Sequence, residues 1–249
     1  MPPIVLTFAA SDPTGGAGMQ ADLLTLAALG CHPLSVLTGL TVQDTSGVEL
    51  LEPVDAGLVT RQALCVLAES KVAAFKVGVL GSADNVRAVA QVVIAHAEVP
   101  LVLDPVLASG RGDELASAAV RAALLECLVP RATVVTPNTL EAERLGGVTA
   151  LLERGCRYVL VTGSHEPGAE VTNTLYDPQG LVRADRWPRL HGSYHGSGCT
   201  LASAIAAQLA QGIAVSEAVR AAQQFTWRAL AAAFRSGGGQ LMPNRFFAP

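Results

Sequence analysis

The feature that most constrains the fold of this sequence is its alternation of short apolar runs with longer amphipathic stretches along nearly the whole chain. Continuous apolar runs of this kind are typical of strands that are buried on both faces, and the amphipathic stretches are long enough to form helices. Strands and helices in alternation build a mainly parallel sheet between two helical layers. We therefore predict an α/β fold with three layers.

The boundaries of the predicted elements follow from the apolar periodicity and from the positions of Gly and Pro. Strands are predicted over residues 4–9, 35–41, 49–54, 75–80, 100–104, 133–136 and 157–162, with a hairpin formed by 171–176 and 181–187. Helices are predicted over 19–29, 56–69, 83–96, 114–128, 197–211 and 216–234. The length suits one domain over residues 1–249, and the glycine run 237–239 predicts a short flexible tail from about residue 236.

The composition excludes several classes of protein. With 17 Lys+Arg against 21 Asp+Glu and a formal net charge of -4, the chain has no basic footprint for nucleic acid. No apolar run is long enough to span a membrane, and the N-terminus lacks the features of a signal peptide. The five cysteines include no CxxC pair, which argues against disulfides and structural zinc. We expect a protein of the reducing cytoplasm.

Lysine is scarce, because only Lys71 and Lys76 accompany fifteen arginines. A P-loop holds phosphate with a Lys that is followed by Ser or Thr, and here both lysines are followed by Val. Lys76 lies inside a predicted strand and Lys71 at a helix end, so neither matches a phosphate-binding position. A chain of this kind must hold phosphate, if it does so, by other means.

Polar and glycine-rich segments follow several predicted strands, at residues 11–18, 104–112, 136–141 and 162–165. Because the carboxyl ends of parallel strands meet at one edge of a sheet, these segments are expected to share a rim. His165 and His195 lie near this rim but lack the spacing of a metal-binding pair.

Two glycine-rich segments precede helices. Gly196-Ser197-Gly198-Cys199-Thr200 opens a helix whose free N–H groups and dipole can bind an anion and favour a thiolate, although a plain cap with a buried cysteine fits as well. The segment from Asp12 to Asp22 does not fit the GxGxxG dinucleotide pattern. It suits a loop that a small polar ligand approaches closely, with Asp22 as an acceptor, or a simple strand-to-helix turn.

Further candidates are single polar residues at element ends. Asn138 and Glu141 lie on one face of a helix's first turn, where they suit either a hydrated metal or a helix cap related to the capping box. Asp104 ends an apolar strand and suits a metal, a hydroxyl group or a turn. Gln43 is able to read the donors and acceptors of a ligand, or begins a loop.

Taken together, these segments resemble the ribokinase superfamily, and within it the hydroxymethylpyrimidine/phosphomethylpyrimidine kinases of thiamine biosynthesis. The resemblance covers residues 4–234 and rests on five motifs in the family's order and spacing. The motifs are 11–22, Val42-Gln43-Asp44-Thr45, Leu103-Asp104-Pro105-Val106, Thr136-Pro137-Asn138 with Glu141-Ala142, and His195-Gly196-Ser197-Gly198-Cys199-Thr200. Sugar kinases of the superfamily carry Asp where Cys199 stands, and the pyrimidine kinase branch carries Cys.

The resemblance implies a ribokinase-like fold and transfer of phosphate from ATP, with Mg²⁺, to a small pyrimidine and then to its monophosphate. Gly196, Ser197, Gly198 and Cys199 would form the catalytic anion hole, and Glu141 would hold magnesium through water. Substrate contacts are implied for Gly16, Ala17, Gly18, Asp22, Gln43, Val79 and Val106, and contacts to ATP or phosphate for Asp104, Asn138 and Thr162. Cys199 would assist proton removal if its pKa is lowered.

This sequence departs from the family at two positions near phosphate. The family's lysine before a glycine pair is Thr162 here, and the lysine expected in the Asp104 loop is absent. Arg111 in that loop is expected to supply the missing charge. A pyridoxal kinase with the same cysteine, and a pyrimidine-binding protein without activity, are the alternatives. A homodimer is a further expectation from the family.

Overall fold

The computed structural model describes residues 1–109, 112–164 and 166–247. The strands are β1 (Ile4–Ser11), β2 (His32–Gln43), β3 (Val48–Pro53), β4 (Ala74–Val77), β5 (Leu101–Leu103), β6 (Val134–Val135), β7 (Tyr158–Thr162), β8 (Glu170–Asp177) and β9 (Gly180–Pro188). They form one sheet in the order β3-β2-β1-β4-β5-β6-β7-β8-β9. The six strands from β2 to β7 in this order are parallel, and β3, β8 and β9 are antiparallel to their neighbours. The predicted mainly parallel sheet is confirmed.

Helices cover both faces of the sheet. They are α1 (Gly18–Ala28), α2 (Ala56–Leu67), α3 (Ala83–Ala95), α4 (Ala118–Ala123), α5 (Thr139–Arg144), α6 (Gly147–Glu153), α7 (Ser197–Ala210) and α8 (Val215–Ala231). Side chains that alternate along the strands enter two separate cores. Phe75 and Val77 of β4 pack towards α2, α3 and α4, whereas Ala74 packs towards α1 and α7. The three-layer prediction is therefore confirmed.

Most predicted elements are present, with boundaries that differ by a few residues. The predicted helix over 114–128 is α4 followed by a π-helical turn (Leu124–Leu128), because Pro130 stands just beyond and prevents a regular helix from continuing. Helix α6 was not predicted. It begins at Gly147, directly after Gly146; both have positive φ, and such a glycine pair is typical of a loop.

The carboxyl ends of the parallel strands lie at one edge of the sheet, as the topology requires. This edge carries residues 11–18 after β1, Asp104 after β5, Asn138 after β6 and Thr162 at the end of β7. Among the described residues, no helix has the length and apolar character needed to cross a membrane.

The C-terminal segment differs from the flexible tail expected from about residue 236. Gln240, Met242 and Arg245 are buried, and Leu241 and Met242 form bridges with Tyr194 and Phe234. The glycine run pointed to mobility, but Gly239 instead allows the backbone to approach Thr45, where a Cβ would lie 2.0 Å from the carbonyl oxygen. The segment is packed because of residues that follow the glycines.

Candidate active site

The two glycine-rich segments of the sequence are in direct contact. A Cβ on Gly196 would lie only 1.9 Å from the carbonyl oxygen of Gly16, so no other residue fits at position 196 without moving the backbone. Gly196 also has a φ of +80°, which glycine adopts without strain. The first glycine loop (residues 12–18) and the start of α7 therefore form one continuous surface, as the shared rim predicts.

A side-chain contact between Asp12 and His195 joins the same two segments. Asp12 Oδ2 lies 2.8 Å from His195 Nε2, and Asp12 also accepts hydrogen bonds from the N–H groups of Thr14 and Ala17. Burial alone would raise the pKa of Asp12, but the bonds from His195, Ala17 and Thr14 hold that pKa below its ordinary value. Asp12 thus remains charged and fixes the shape of the first glycine loop.

Lys76 occupies the centre of the site, a position that the sequence pattern did not predict. Its Nζ is fully buried and lies 2.8 Å from Asp22 Oδ1. Burial alone would lower the pKa of Lys76, but its interactions with Asp22, Cys199 and Asp104 raise it. Lys76 is therefore charged, within electrostatic reach of the helix start predicted to bind an anion.

Asp22 does not have the surroundings of a substrate contact. Its side chain is fully buried, Lys76 pairs with both oxygens, and Thr7 and Ser203 donate one hydrogen bond to each. The residue was predicted to face the ligand because it follows a glycine-rich loop. In the folded chain its carboxylate turns inward and holds Lys76, and a direct contact with the substrate stays a prediction.

Cys199 lies in the first turn of α7, at the point where these charges converge. Burial raises the pKa of its thiol to about 12, and the lowering effects of Lys76 and of the Gly18 N–H do not offset burial together with the charges of Asp104 and Asp22. The helix start alone would favour a thiolate, but desolvation is larger here. The thiol is therefore neutral in the ligand-free protein, and the lowered pKa on which its predicted role depended is absent.

Asp104 faces the start of α7 from the end of β5. A Cβ on Gly198 would lie 3.6 Å from Asp104 Oδ2, and this buried oxygen has no hydrogen-bond partner among the described residues. Burial raises the pKa of Asp104 to about 6, with Lys76 opposing the shift and Asp22 adding to it. A buried, unpartnered carboxylate oxygen is costly and fits a site that a ligand completes.

Glu141 and Asn138 form a complete capping box at the start of α5. Asn138 accepts from the Glu141 N–H at 2.9 Å, and Glu141 Oε2 accepts from the Asn138 N–H at 3.0 Å. Glu141 Oε1 also accepts from the N–H of Leu107, which joins the helix to the loop after β5. The capping interpretation left open by the sequence is thus correct.

The two buried carboxyl groups Asp104 and Glu141 both have raised pKa values. Burial raises the pKa of Glu141 to about 7, the charge of Asp104 adds to the shift, and the N–H groups of Asn138 and Leu107 oppose it. No cluster of three or more metal-binding side chains occurs among the described residues. Mg²⁺ is commonly held by one or two carboxylates with phosphate oxygens and water, so this pair fits magnesium in a complex with phosphate.

Thr162 and Asn138 are neighbours across the sheet edge. They form a parallel bridge, and the Thr162 N–H donates to the carbonyl of Pro137 at 3.0 Å. The residues that follow them, Gly163 and Thr139, line a cleft of about 330 Å³ between α5, α6 and the face of β7 and β8. Two residues predicted to contact ATP or phosphate therefore stand at the edge of an open cleft.

The remaining predicted contacts lie on the rim but are only partly buried. The Gln43 amide donates to the Thr41 hydroxyl at 2.7 Å, and Thr41 in turn donates to the carbonyl of Ser11. Val79 and Val106 are half-buried beside the ends of β4 and β5. Arg111, predicted to replace the missing lysine, and His165 lie outside the described residues.

Four residues to which the sequence pattern assigned no role contribute to the site. They are Asp12, Lys76, His195 and Arg245, whose buried guanidinium contacts the first glycine loop. Only Lys76 carried a usable signal, because a charged residue in a strand that is otherwise apolar is almost always paired. The contacts of Asp12 with His195 and of Arg245 with Gly16 span 183 and 229 residues of the chain and are found only in the fold.

Comparison with known proteins identifies the family of the chain. The family model for phosphomethylpyrimidine kinase matches residues 12–244. The hydroxymethylpyrimidine/phosphomethylpyrimidine kinase of Streptomyces coelicolor is 41% identical, over 96% of this chain and 92% of its own length.

Solved structures of related kinases match most of the chain. A pyridoxal kinase from Staphylococcus aureus, in complex with ADP, has a TM-score of 0.90 at 29% identity and covers 99% of this chain and 94% of its own. The phosphomethylpyrimidine kinase of Clostridium difficile 630 has a TM-score of 0.77 at 31% identity, over 90% of this chain and 97% of its own. The chain described here belongs to the phosphomethylpyrimidine kinase family.

Proposed function

We propose that this protein transfers phosphate from ATP to the 5-hydroxymethyl group of 4-amino-5-hydroxymethyl-2-methylpyrimidine, and then to the monophosphate, in thiamine biosynthesis. The observation that carries the proposal is the contact between Gly16 and Gly196, which joins the loop suited to a small polar ligand to the helix start suited to phosphate. Membership of the family supports the choice of pyrimidine.

The chain's own groups supply what phosphoryl transfer needs, which is mainly positioning and stabilisation of charge. The free N–H groups in the first turn of α7 point at the transferred phosphate and stabilise its negative charge. Lys76, charged and buried behind Cys199, adds positive potential at the same place. A lysine therefore contributes to this site, from β4 rather than from the two positions where the family carries one.

Magnesium is the proposed metal, with Asp104 and Glu141 as the residues that hold it, directly or through water. When bound with ATP, the ion would neutralise charge on the phosphates. The unpartnered Oδ2 of Asp104 and the raised pKa values of both carboxyl groups support this assignment. The cleft beside Thr139 and Gly163 is the proposed side for the nucleotide, because it adjoins Asn138 and Thr162.

Cys199 is proposed to act by position rather than as a thiolate base. Its thiol is neutral in the ligand-free protein. Because the transition state of phosphoryl transfer is loose, removal of the hydroxyl proton does not have to precede transfer. The serine variant, Cys199→Ser, is then expected to keep more turnover than Cys199→Ala, with similar pyrimidine binding in both.

The test is a coupled assay of ADP release with the hydroxymethylpyrimidine, using two glycine variants as a matched pair. Gly196 and Gly212 have nearly the same φ, +80° and +81°, but a Cβ on Gly196 would meet backbone atoms within 4 Å, whereas a Cβ on Gly212 would meet none. Gly196→Ala should abolish pyrimidine-dependent ADP release, and Gly212→Ala should keep it. Absence of pyrimidine-dependent release by the natural chain, with binding retained, would indicate a binding protein instead.

A pyridoxal kinase is the second candidate, because a pyridoxal kinase structure superposes on nearly the whole chain. The half-buried amide of Gln43 favours the pyrimidine, since it can both donate to and accept from an aminopyrimidine edge. Comparison of kcat/KM on the two substrates separates the candidates. A higher value on pyridoxal would reverse the assignment.

A homodimer and a cytoplasmic location are also proposed. The five cysteines are free, which fits a reducing compartment. Sedimentation equilibrium at low concentration tests the dimer, and a mass of one chain would contradict it.

A further inference from the structure

The C-terminal strap (residues 239–247) contacts three segments around the site. The N–H groups of Gly239 and Gln240 donate to the hydroxyl and the carbonyl of Thr45, just beyond Gln43. Leu241 donates to Ser193 at 2.8 Å and accepts from the His195 N–H at 2.9 Å, immediately before the start of α7. The strap thus connects the loop after β2 with the segment that leads into the anion hole.

Arg245 carries the strap to the third segment, the first glycine loop. Its Nη2 donates to the carbonyl of Gly16 and, at 3.0 Å, to the hydroxyl of Thr200, while its Nη1 lies 3.5 Å from the carbonyl of Gly15. The Thr200 hydroxyl in turn donates to the carbonyl of Gly196 at 2.8 Å. One planar guanidinium therefore fastens the first glycine loop to the first turn of α7.

The burial of this guanidinium is unusual. Arg245 is only 5% exposed, and among the described residues no carboxylate oxygen lies within 4.0 Å of it. Burial lowers its pKa, and interactions with the more distant Cys199, Asp22 and Asp12 oppose this shift. Burying an arginine without an ion pair is costly, so the position is expected to serve the site and not only stability.

The far end of the strap is anchored apart from the site. Asn244 donates to the carbonyl of Ala229 at 3.0 Å, and the Phe247 ring lies 5.3 Å from that of Phe225 and 4.5 Å from the guanidinium of Arg228. Because the strap is anchored at both ends, the backbone at Arg245 is held in place and the side chain reaches Gly16 from a fixed position. The family model ends at residue 244, so Arg245 lies just beyond the matched region.

From these contacts we propose that Arg245 is a positioning residue, which holds the first glycine loop against the anion-hole helix in the shape that receives the pyrimidine. The inference rests on the proposed function for its substrate. Loss of the fork frees the carbonyls of Gly15 and Gly16, so the adjacent N–H groups lose their fixed direction. Pyrimidine binding must then order the first glycine loop, and the free energy of this ordering weakens binding.

The experiment compares Arg245→Met and Arg245→Lys with Arg235→Met, an exposed arginine that precedes the strap. Arg245→Met should raise the KM for the pyrimidine about tenfold, as expected for one charge-assisted hydrogen bond, and leave the KM for ATP within about twofold. Arg245→Lys should leave the KM for the pyrimidine nearly as high as Arg245→Met does, because an ammonium lacks the two-pronged guanidinium that spans Gly16 and Thr200. Arg235→Met should match the natural chain.

A second measurement does not depend on the substrate. Amide hydrogen exchange of residues 12–18 should accelerate in Arg245→Met and not in Arg235→Met, with the exchange of β4 unchanged in both. Equal rises in both KM values, full restoration by Lys, or unchanged exchange in the loop would each overturn the positioning role. If the natural chain has no activity on the pyrimidine, the proposed function fails, and the exchange result still decides whether Arg245 orders the loop.

Discussion

Two buried aspartates, Asp22 and Asp104, lie on either side of Lys76 and differ in how their charge is balanced. Both oxygens of Asp22 are paired with Lys76, and Thr7 and Ser203 add hydrogen bonds. Asp104 has an oxygen without a hydrogen-bond partner among the described residues, and its pKa is raised to about 6. Burial is nearly the same, at 0% and 4% exposure, so the difference is in partners.

This difference indicates that Asp22 has a structural role, whereas Asp104 is suited to bind a ligand. A buried charge with all its hydrogen-bond and ion-pair partners rigidifies the structure around it. A buried charge that lacks some of these partners lowers stability, and natural proteins retain such groups mainly at functional sites. Asp22 therefore orients Lys76, and Asp104 is the carboxylate at which we propose that a cation binds. Four predictions test this contrast.

The largest effect is expected from Lys76→Met. Removal of the lysine leaves Asp22 buried without its cation, and breaking a buried pair in this way costs about 3 to 5 kcal/mol of unfolding free energy. Urea denaturation measures the loss, and Lys71→Met, at the only other lysine and an exposed one, is the matched control. Equal stability of the two variants would show that Asp22 is not charged.

The second-largest effect is expected from Asp104→Asn, which should raise the stability of the protein and lower its activity. Removing an uncompensated charge should raise the unfolding free energy of the metal-free protein at about pH 8 by roughly 1 to 3 kcal/mol. Turnover should fall by about 100-fold or more, because charge stabilisation at the phosphates is lost. Asp22→Asn, by contrast, should lower stability, since its partners lose their acceptor.

The third prediction concerns pH. The folded-state pKa values of Asp104 and Glu141, about 6 and about 7, lie above their ordinary values, so the folded protein binds more protons than the unfolded chain in this range. Without metal, these groups should therefore make the unfolding free energy fall as the pH rises from about 4 to about 7. Stabilisation by Mg²⁺ should be small at about pH 5 and reach its full value above about pH 7.

Denaturation over this range, with and without Mg²⁺, checks the third prediction, and Asp104→Asn should flatten both curves. Stabilisation by Mg²⁺ that is independent of pH would place the ion elsewhere.

The smallest effect is expected at Cys199, whose thiol is within electrostatic reach of both aspartates. Asp104 raises its pKa and Lys76 lowers it, so Asp104→Asn should increase the rate of Cys199 alkylation modestly. The exposed Cys65 is the internal reference and should react first in both proteins. Mass spectrometry of the alkylated peptides gives the two rates, and an unchanged ratio would mean that the charge of Asp104 does not reach the thiol.

The sequence predicted the fold well and the site in part. The apolar periodicity located β1, α3 and α7 within a few residues, because each buries a face that shows in local spacing. Helix α6 and the packed strap were missed, since glycine pairs and runs indicate loops unless later residues hold them. At the site, the contact of the two glycine segments agreed with prediction, whereas the pairing of Asp22 with Lys76 and the raised pKa of Cys199 were not predicted.

What the sequence determined by itself was the order of strands and helices, the rim on which the polar segments meet, and the family. Those properties depend on periodicities and motifs within short stretches of chain. Only the tertiary structure decided which charges are compensated, because Asp22 meets Lys76 across 54 residues and Ser203 across 181. Burial sets the cost of each charge, and the partners that offset this cost are brought together only when the chain folds.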